Sequence, residues 1–449
     1  MHYIILFLVS FILSLLLTPV AEKLSLLVDA VDHPNRRKIH SKAIPRLGGV
    51  SIYLSFVISS LLFLDFSFQL KSLLCGSIIV VVVGVIDDIK ELDAKVKLAA
   101  QILAVGPILA YNLNINLIDH PLIEYLFTGY LAIPIIILWV VGMINAINLI
   151  DGLDGLAGGV VTIAALTLAI IFCGSNNLIS CSLALILAGS TLGFLKYNFN
   201  PAAIFMGDTG SMFLGYTLAV ISLFGINESS NLMAVLAPIL VLGVPIFDIN
   251  FAFFRRLVNC KNPFIPDKEH LHHRFLHFGL NQKQTVFTIY LIALIFGVSS
   301  ILLAKYNSLN ILLVVITILV ILFLWLKEFN IIRLGSTINA EPLELLKEIR
   351  TNLIKLEHLI EDDLELASFH QELGRLEELI ERVPKFIYDD EVEDIDKNNY
   401  GSLRERIFLL IEIIDVIIRN YNDNSDNLNH IFQHEKSNLL AIYDKLKSN

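Results

Sequence analysis

Long apolar runs, separated by short polar segments, extend from the N-terminus to about residue 328. Each run approaches the roughly 20 residues that an α-helix needs to cross a bilayer, and the runs are continuous rather than alternating, which favours helices over a β-barrel. The pattern predicts an all-α polytopic membrane protein with about eleven transmembrane helices. The predicted spans are residues 3–21, 48–66, 70–86, 97–112, 131–147, 157–173, 179–197, 210–226, 232–252, 285–304 and 309–327.

The orientation of these spans is predicted from the connecting segments. The first run, Tyr3 to Val20, has no basic segment before it and no small-x-small cleavage site, so we predict a retained helix rather than a signal peptide. Lys and Arg residues of the connecting segments fall almost entirely on one side of the spans. The positive-inside rule makes that side cytoplasmic and the N-terminus external, and with eleven spans the C-terminus is cytoplasmic too.

The polar, motif-like stretches all fall on this predicted cytoplasmic side, whereas the external loops are short and carry no motif. A protein that only anchored itself would not need to concentrate its unusual residues on one face. The distribution therefore predicts a functional site at the cytoplasmic membrane surface. The stretches are residues 29–49, 87–97, 145–159, 196–211 and 255–280.

Composition agrees with a membrane protein and separates off a C-terminal tail. Of the 449 residues, 55% are hydrophobic and only 17% are charged, which is low for a soluble protein. The formal net charge is −10, yet residues 339–449 contain 25 acidic and 13 basic residues, a net of −12. The acidity therefore belongs to the tail and does not describe the substrates of the membrane part.

The tail has its own pattern, so we predict two domains, a membrane domain at 1–328 and an acidic, helical cytoplasmic domain at 329–449. Apolar residues recur three or four positions apart from Leu343 onward, which is typical of an amphipathic helix near heptad spacing. This spacing suits a homodimer contact or docking of a downstream glycosyltransferase, and a solvated appendage is an equal alternative. We expect no nucleic-acid partner and expect truncation after Phe329 to leave the chemistry intact.

Two adjacent carboxylates, Asp87 and Asp88, directly follow an apolar span. Ionisable groups at membrane depth are costly and therefore suggest function, although two solvated acids at a helix end are the alternative. Lys97 begins the next predicted span, where it would bind an anionic head group or extend its ammonium group to the membrane surface.

The segment N-A-I-N-L-I-D-G-L-D-G-L-A-G-G, residues 145–159, combines amides, carboxylates and glycines. Asp-Gly pairs form tight turns, glycine backbone can approach phosphate closely, and side-chain oxygens suit a hard cation such as Mg²⁺. An ordinary loop is the alternative. The candidate residues are Asn145, Asn148, Asp151 and Asp154.

Two further stretches contain candidate binding residues. In N-P-A-A-I-F-M-G-D-T-G-S, Asp208 lies in a G-D-x-G turn that opens a helix, where a simple N-cap is the alternative. Phe205 would stack on a nucleobase or pack in the core.

In P-D-K-E-H-L-H-H-R-F, the spacing does not match a zinc site, so we favour anion binding and proton handling. The candidates there are His270, His272, His273 and Arg274.

The basic loop at 32–49, which includes Lys38, is a candidate substrate-binding segment, although it would also serve as a topology signal alone. Together, the carboxylates and amides suit Mg²⁺ and the Lys, Arg and His residues suit phosphate oxygens. A membrane-surface site suits a lipid substrate. The combination indicates a step that joins two anions, a lipid phosphate and a nucleotide diphosphate.

In these five stretches, taken in order over roughly residues 1–328, the chain resembles the polyprenyl-phosphate N-acetylhexosamine-1-phosphate transferases. The His-x-His-His-Arg pattern and the D-H-P-N-R-R-K-x-H loop are most similar to the undecaprenyl-phosphate GlcNAc-1-phosphate branch. The peptidoglycan pentapeptide branch has three consecutive histidines where this chain has His272, His273 and Arg274. The resemblance does not extend to the tail.

The resemblance implies a plasma-membrane enzyme that transfers an N-acetylhexosamine-1-phosphate, most closely GlcNAc-1-phosphate, from a UDP-sugar to undecaprenyl phosphate and so initiates an envelope glycan. Mg²⁺ is the implied cofactor, with Mn²⁺ as an alternative. The implied roles are metal binding by Asp208 and Asn148, an essential acidic pair at Asp87 and Asp88, a phosphate contact by Lys97, uracil stacking by Phe205, nucleotide-side acids at Asp151 and Asp154, and essential histidines at His272 and His273.

Three alternatives stay open at this point. The same chemistry would run with another donor such as UDP-MurNAc-pentapeptide. A transporter would use carboxylates as an ion pathway, but its carboxylates usually lie mid-span rather than at one face. A catalytically inactive homologue would act as a membrane scaffold through its tail.

Overall fold

The computed structural model describes residues 2–32, 43–110, 132–227, 232–258, 270–306 and 308–328. Lys38 and the predicted tail domain at 329–449 therefore lie outside the described residues. The helices are α1 (His2–Leu27), α2 (Gly48–Phe63), α3 (Phe68–Ile89), α4 (Ala94–Ala110), α5 (Ala132–Ile150), α6 (Leu156–Gly174), α7 (Leu178–Asn198), α8 (Gly207–Asn227), α9 (Leu232–Val241), α10 (Gly243–Val258), α11 (Leu271–His277), α12 (Gln282–Tyr306) and α13 (Leu309–Glu328).

The prediction of a helical membrane protein is confirmed. Within the described ranges, six helices are long and apolar enough to cross a bilayer, namely α1, α3, α5, α6, α7 and α12. Shorter apolar helices lie at Gly48–Phe63, Gly243–Phe253 and Asn310–Val320. The total of eleven spans stays a prediction.

The ninth predicted span, 232–252, differs from the structure because it is divided at Leu242 into α9 and α10. Pro245 lies in the first turn of α10. Its nitrogen cannot donate a hydrogen bond to the preceding turn, so a proline is tolerated in a first turn but interrupts a continuous helix. The break also places Asp248 within α10.

Helix α8 lies at the centre of the bundle, where it packs against α2, α3 and α5. Its residues from Thr209 to Gly225 are buried, and such a helix, apolar on all sides, belongs in a core. Gly84 of α3 lies directly against the backbone of Thr209. This close approach brings the last turn of α3 beside the first turn of α8.

Two short strands, β1 (Val31–Asp32) and β2 (Ile44–Pro45), pair antiparallel, with Val31 opposite Pro45. The segment that follows β2 continues to the same end of the bundle, because Gly48 N donates to Phe205 O at 3.0 Å and Phe205 N donates to Pro45 O at 2.8 Å. The polar stretches at 43–49, 87–97, 145–159 and 196–211 therefore meet around the start of α8.

Candidate active site

Lys97 of α4 lies between two carboxylates from different helices. Its Nζ is 3.2 Å from Asp87 Oδ2, at the end of α3, and 2.9 Å from Asp208 Oδ2, at the start of α8. The Lys97 side chain keeps about a quarter of its surface exposed, whereas Asp87 is almost fully enclosed. The ammonium group thus joins the end of α3 to the start of α8, where Asp208 lies 111 residues after Lys97 in the sequence, and it remains reachable from outside.

Asp88 has different partners from Asp87. Its Oδ1 accepts a hydrogen bond from Asp208 N at 2.9 Å, and its Oδ2 accepts from Thr209 N at 3.0 Å and from Thr209 Oγ1 at 2.6 Å. A carboxylate at a helix N-terminus satisfies free N–H groups and opposes the positive end of the helix dipole. Asp88 therefore anchors the start of α8, and through it the position of Asp208.

Gly207 completes this anchor. Its φ of +65° lies in the left-handed region, and a Cβ there would overlap both carboxylate oxygens of Asp88. Only glycine therefore suits this position.

The two oxygens of Asp87 have separate partners. Its Oδ1 accepts from Leu92 N at 2.8 Å, so Asp87 presents Oδ2 to Lys97. Of the acidic pair, the residue that faces Lys97 is Asp87.

Two asparagines on α5 reach the site in different ways. Asn148 Oδ1 accepts from Ser211 Oγ at 2.9 Å, one turn along α8 from Asp208. Asn145 Nδ2 donates to Gln101 Oε1 at 2.9 Å and to Val141 O at 2.8 Å. The structure thus places Asn148 beside the start of α8, whereas the amide of Asn145 connects α5 to α4, one turn beyond Lys97.

The loop at 151–155 is tied to the loop at 199–206. Asp154 Oδ2 accepts from Asn200 Nδ2 at 2.9 Å and from Ala202 N at 3.1 Å. Asn198 is a second tie, since its Oδ1 accepts from Gly155 N at 3.1 Å and its Nδ2 donates to Ile204 O at 3.0 Å. Asp154 is engaged in holding the two loops together, and its predicted catalytic role stays a prediction.

Asp151 lies in an acidic environment. Part of its surface stays accessible, yet the surrounding protein still removes most of its solvation. This desolvation, followed by the negative charges of Asp208 and Asp88, raises the pKa of Asp151 well above its ordinary value, with Asp154 adding to the effect and Arg46 opposing it. The charge on this carboxylate is costly until a cation approaches.

The histidines form a stack against the 151–155 loop. The rings of His270 and His272 are nearly parallel with centroids 6.1 Å apart, and the His273 ring lies 4.2 Å from that of His272. A Cβ at Gly152 would overlap His272 Nε2, so glycine permits this contact. Burial, followed by the charge of His273, lowers the pKa of His272 to about 3. His272 is therefore neutral at physiological pH.

The remaining predicted residues are placed as follows. Phe205 is half-buried, and its backbone is hydrogen-bonded to Pro45 of β2 and to Gly48. The Arg274 guanidinium lies over the Phe251 ring, 5.0 Å from its centroid. The prediction omitted four residues that shape the site, namely Arg46, Asn198, Thr209 and Asp248.

The residues around the start of α8 suit a divalent cation. The carboxylates of Asp87, Asp88, Asp151 and Asp208 interact with one another, and the cations paired with them among the described residues are Lys97 and Arg46. Negative charge is therefore in excess.

No three acidic, histidine or cysteine side chains in the described ranges converge into a complete metal site. Mg²⁺ in phosphate-transfer sites usually binds only one or two carboxylates and completes its shell with substrate phosphates and water. Asp208, with the amide oxygen of Asn148 nearby, fits that incomplete set.

The part of the chain that contains these residues is similar to known proteins. The model of glycosyl transferase family 4 matches residues 70–226, which include Asp87, Lys97 and Asp208. The chain is 41% identical over 304 residues to the probable undecaprenyl-phosphate N-acetylglucosaminyl 1-phosphate transferase of Bacillus subtilis. The aligned region covers 67% of this chain and 84% of that protein.

Two more distant relatives have related names. The decaprenyl-phosphate N-acetylglucosaminephosphotransferase of Mycobacterium leprae is 32% identical, over 59% of this chain and 74% of its own length. The undecaprenyl-phosphate alpha-N-acetylglucosaminyl 1-phosphate transferase of Thermotoga maritima is 31% identical, over 60% of this chain and 78% of its own. The chain therefore belongs to glycosyl transferase family 4 and, within it, to the polyprenyl-phosphate N-acetylglucosaminyl 1-phosphate transferases.

Proposed function

We propose that the protein transfers GlcNAc-1-phosphate from UDP-GlcNAc to a polyprenyl phosphate, such as undecaprenyl phosphate, and releases UMP at the cytoplasmic face of the plasma membrane. The observation that carries the proposal is the bridge from Lys97 to Asp87 and Asp208 at the start of α8. It places a cation and two carboxylates from separate motifs at one point, in a chain of this family. The Lys and Arg distribution supports the cytoplasmic orientation.

In this reaction an oxygen of the lipid phosphate attacks the β-phosphorus of the UDP-sugar, a P–O bond forms, and the bond to the UMP phosphate breaks. Two anions must approach each other, so catalysis depends on positioning and on charge stabilisation. Lys97 Nζ would contact the phosphate oxygens, where it offsets the developing charge. A Mg²⁺ ion, when bound, would neutralise the diphosphate, and Asp208 with Asn148 would hold it.

Asp87 and Asp88 have different roles in this scheme. Asp87 faces Lys97 and would orient the lipid phosphate or accept its proton, although that phosphate is largely ionised at neutral pH and the proton transfer contributes little. Asp88 holds the start of α8 through Asp208 N and Thr209 N. His272, neutral at physiological pH, would offer a hydrogen bond to the diphosphate side rather than a charge.

An apolar groove suits the prenyl chain. It has a volume of about 470 Å³ and lies between α9, α10, α12 and α13. Its lining includes Ile239, Val244, Phe296 and Ile316. Leu271, which also lines the groove, directly precedes His272, so the groove extends from the apolar faces of these helices to the start of α11, where the histidine stack lies. A lipid whose phosphate meets the site would therefore have an apolar path for its tail.

Filling this groove should weaken lipid binding selectively. We expect Ile316→Trp to raise the KM for undecaprenyl phosphate by about tenfold, equivalent to about 1.4 kcal/mol, while the KM for UDP-GlcNAc stays unchanged. The matched control is Val314→Trp, because Val314 is about as exposed and lies on the same helix but does not line the groove. Equal KM values for the lipid in both variants would place the prenyl chain elsewhere.

Donor choice decides the proposed function. Purified protein with undecaprenyl phosphate and Mg²⁺ should release UMP from UDP-GlcNAc, and it should not do so from UDP-GalNAc or UDP-MurNAc-pentapeptide. EDTA should stop the release. Release from another donor alone would keep the reaction class and change the sugar. If a folded protein releases no UMP from any of these donors, the scaffold alternative is favoured.

A further inference from the structure

Asp248 of α10 connects a buried carboxylate to the histidine stack. Only 4% of its surface is exposed, in a helix that is otherwise mostly apolar. Its Oδ2 lies 3.1 Å from His270 Nδ1, and its Oδ1 accepts from Leu271 N at 2.7 Å. Both oxygens are therefore directed at the first residues of α11. A buried carboxylate is retained only where it is well partnered.

This contact defines the protonation pattern of His270. A carboxylate only accepts, so the nitrogen that faces it, Nδ1, carries the hydrogen. In the neutral ring, Nε2 then holds the lone pair. Nε2 of His270 is buried and has no hydrogen-bond partner among the described residues. A buried polar atom without a partner implies a partner beyond the described residues, and a bound substrate would supply one.

We propose that Asp248 is a positioning residue for the transfer reaction, one that holds His270 with Nδ1–H toward α10 and Nε2 available as a hydrogen-bond acceptor for an O–H or N–H group of the bound UDP-sugar. Through Leu271 N it also holds α11, so that His272 stays against Gly152 in the 151–155 loop. The inference rests on the proposed function, because it assumes that the histidine stack contacts the bound UDP-sugar. A carboxylate that orients a histidine in this way sets both the tautomer and the ring direction.

Asp248→Asn is the informative change. The amide oxygen can still accept from Leu271 N, but the NH₂ group would then face His270 Nδ1. His270 would respond by moving its hydrogen to Nε2, so the available nitrogen changes from an acceptor to a donor. We expect kcat to fall by about 10- to 100-fold, with the KM for UDP-GlcNAc changed by less than about threefold. Asp65→Asn, a change at an exposed acid, should leave both values unchanged.

A double-mutant cycle distinguishes positioning from general support of the fold. The asparagine amide in His270→Asn lies near the former Nδ1 and keeps a donor to Asp248, but it removes Nε2. If Asp248 acts through His270, Asp248→Asn should cost nothing further in the His270→Asn background. Losses that multiply, or a kcat for Asp248→Asn within about threefold of the unchanged protein, would overturn the proposal.

A readout without catalysis separates this inference from the proposed function. Heteronuclear NMR spectra of histidine-labelled full-length protein should show one ring with hydrogen on Nδ1 that disappears in His270→Asn and changes tautomer in Asp248→Asn. An unchanged tautomer would overturn the inference even in an active enzyme. If the unchanged protein transfers no GlcNAc-1-phosphate while the tautomer behaves as expected, the proposed function fails, but the orientation of His270 by Asp248 stands.

Discussion

Asp208→Asn should lower kcat/KM by about 10²- to 10³-fold, the loss typical of removing one preorganised group that stabilises transition-state charge. The substitution keeps the shape of the side chain and the backbone N–H that Asp88 binds. It removes a negative charge that would bind metal and that faces Lys97 at 2.9 Å. Steady-state UMP release, with both substrates varied, gives the measurement.

The metal role of Asp208 has its own readout. Binding of Mg²⁺ to the folded state alone raises stability by about 2.7 kcal/mol at a concentration of 100 Kd, so unchanged protein should melt at a higher temperature in Mg²⁺ than in EDTA. This shift should vanish in Asp208→Asn. Without metal, the variant should melt at nearly the same temperature as the unchanged protein, because the loss of the ion pair with Lys97 is offset by the removal of one carboxylate from a cluster with excess negative charge.

Asp65→Asn is the matched control, since Asp65 is exposed on a loop between α2 and α3. It should keep both the activity and the Mg²⁺ shift. If Asp208→Asn retains full activity, or if it loses activity while keeping the Mg²⁺ shift, Asp208 is not the metal ligand. A lower melting temperature in both Mg²⁺ and EDTA would instead indicate a damaged fold.

The helices and the start of the site were predictable from the sequence because both depend on local chemistry. Continuous apolar runs predict helices, and the G-D-x-G turn predicts a helix start at Gly207, where α8 begins. The division of the ninth span was missed, although Pro245 in the middle of an apolar run was a usable signal. Asp248 was also missed, although the sequence contained a signal for it. A lone acidic residue within an apolar run points to a function.

The partners of the acidic residues were not predictable, because they depend on which helices become neighbours. Nothing in the sequence distinguished Asp87 from Asp88. In the structure, Asp87 faces Lys97, whereas Asp88 accepts hydrogen bonds from the first turn of α8. Likewise, Asp154 was grouped with Asp151 by the repeated D-G pair, yet it bonds to the Asn200 loop. A one-residue step on a helix turns a side chain by about 100°, so adjacent acids meet different neighbours.

Lys97→Met should abolish transfer almost as completely as loss of Asp208, by about 10²- to 10³-fold in kcat. Methionine keeps most of the length and removes the ammonium group that lies between Asp87 and Asp208. Two carboxylates would then face each other without a cation. Because Lys97 is partly exposed, solvent screens part of this repulsion, and we expect a loss of about 1 kcal/mol in the free energy of unfolding.

Added Mg²⁺ should separate the two consequences of this change. A divalent cation between the carboxylates can replace the lost charge, so high Mg²⁺ should restore the melting temperature of Lys97→Met. It should not restore kcat, because a lysine that contacts phosphate also positions it. Lys97→Arg keeps the charge with a different shape and should retain the stability but only part of the activity.

Lys95→Met removes an equivalent charge two residues away, on an exposed position of α4. It should leave kcat, KM and the melting temperature unchanged. If Lys95→Met and Lys97→Met behave alike, the effect comes from the general positive potential of the membrane face and not from the bridge. Recovery of kcat in Lys97→Met by Mg²⁺ alone would reduce Lys97 to a counter-ion, and the reacting phosphates would then need another residue to hold them.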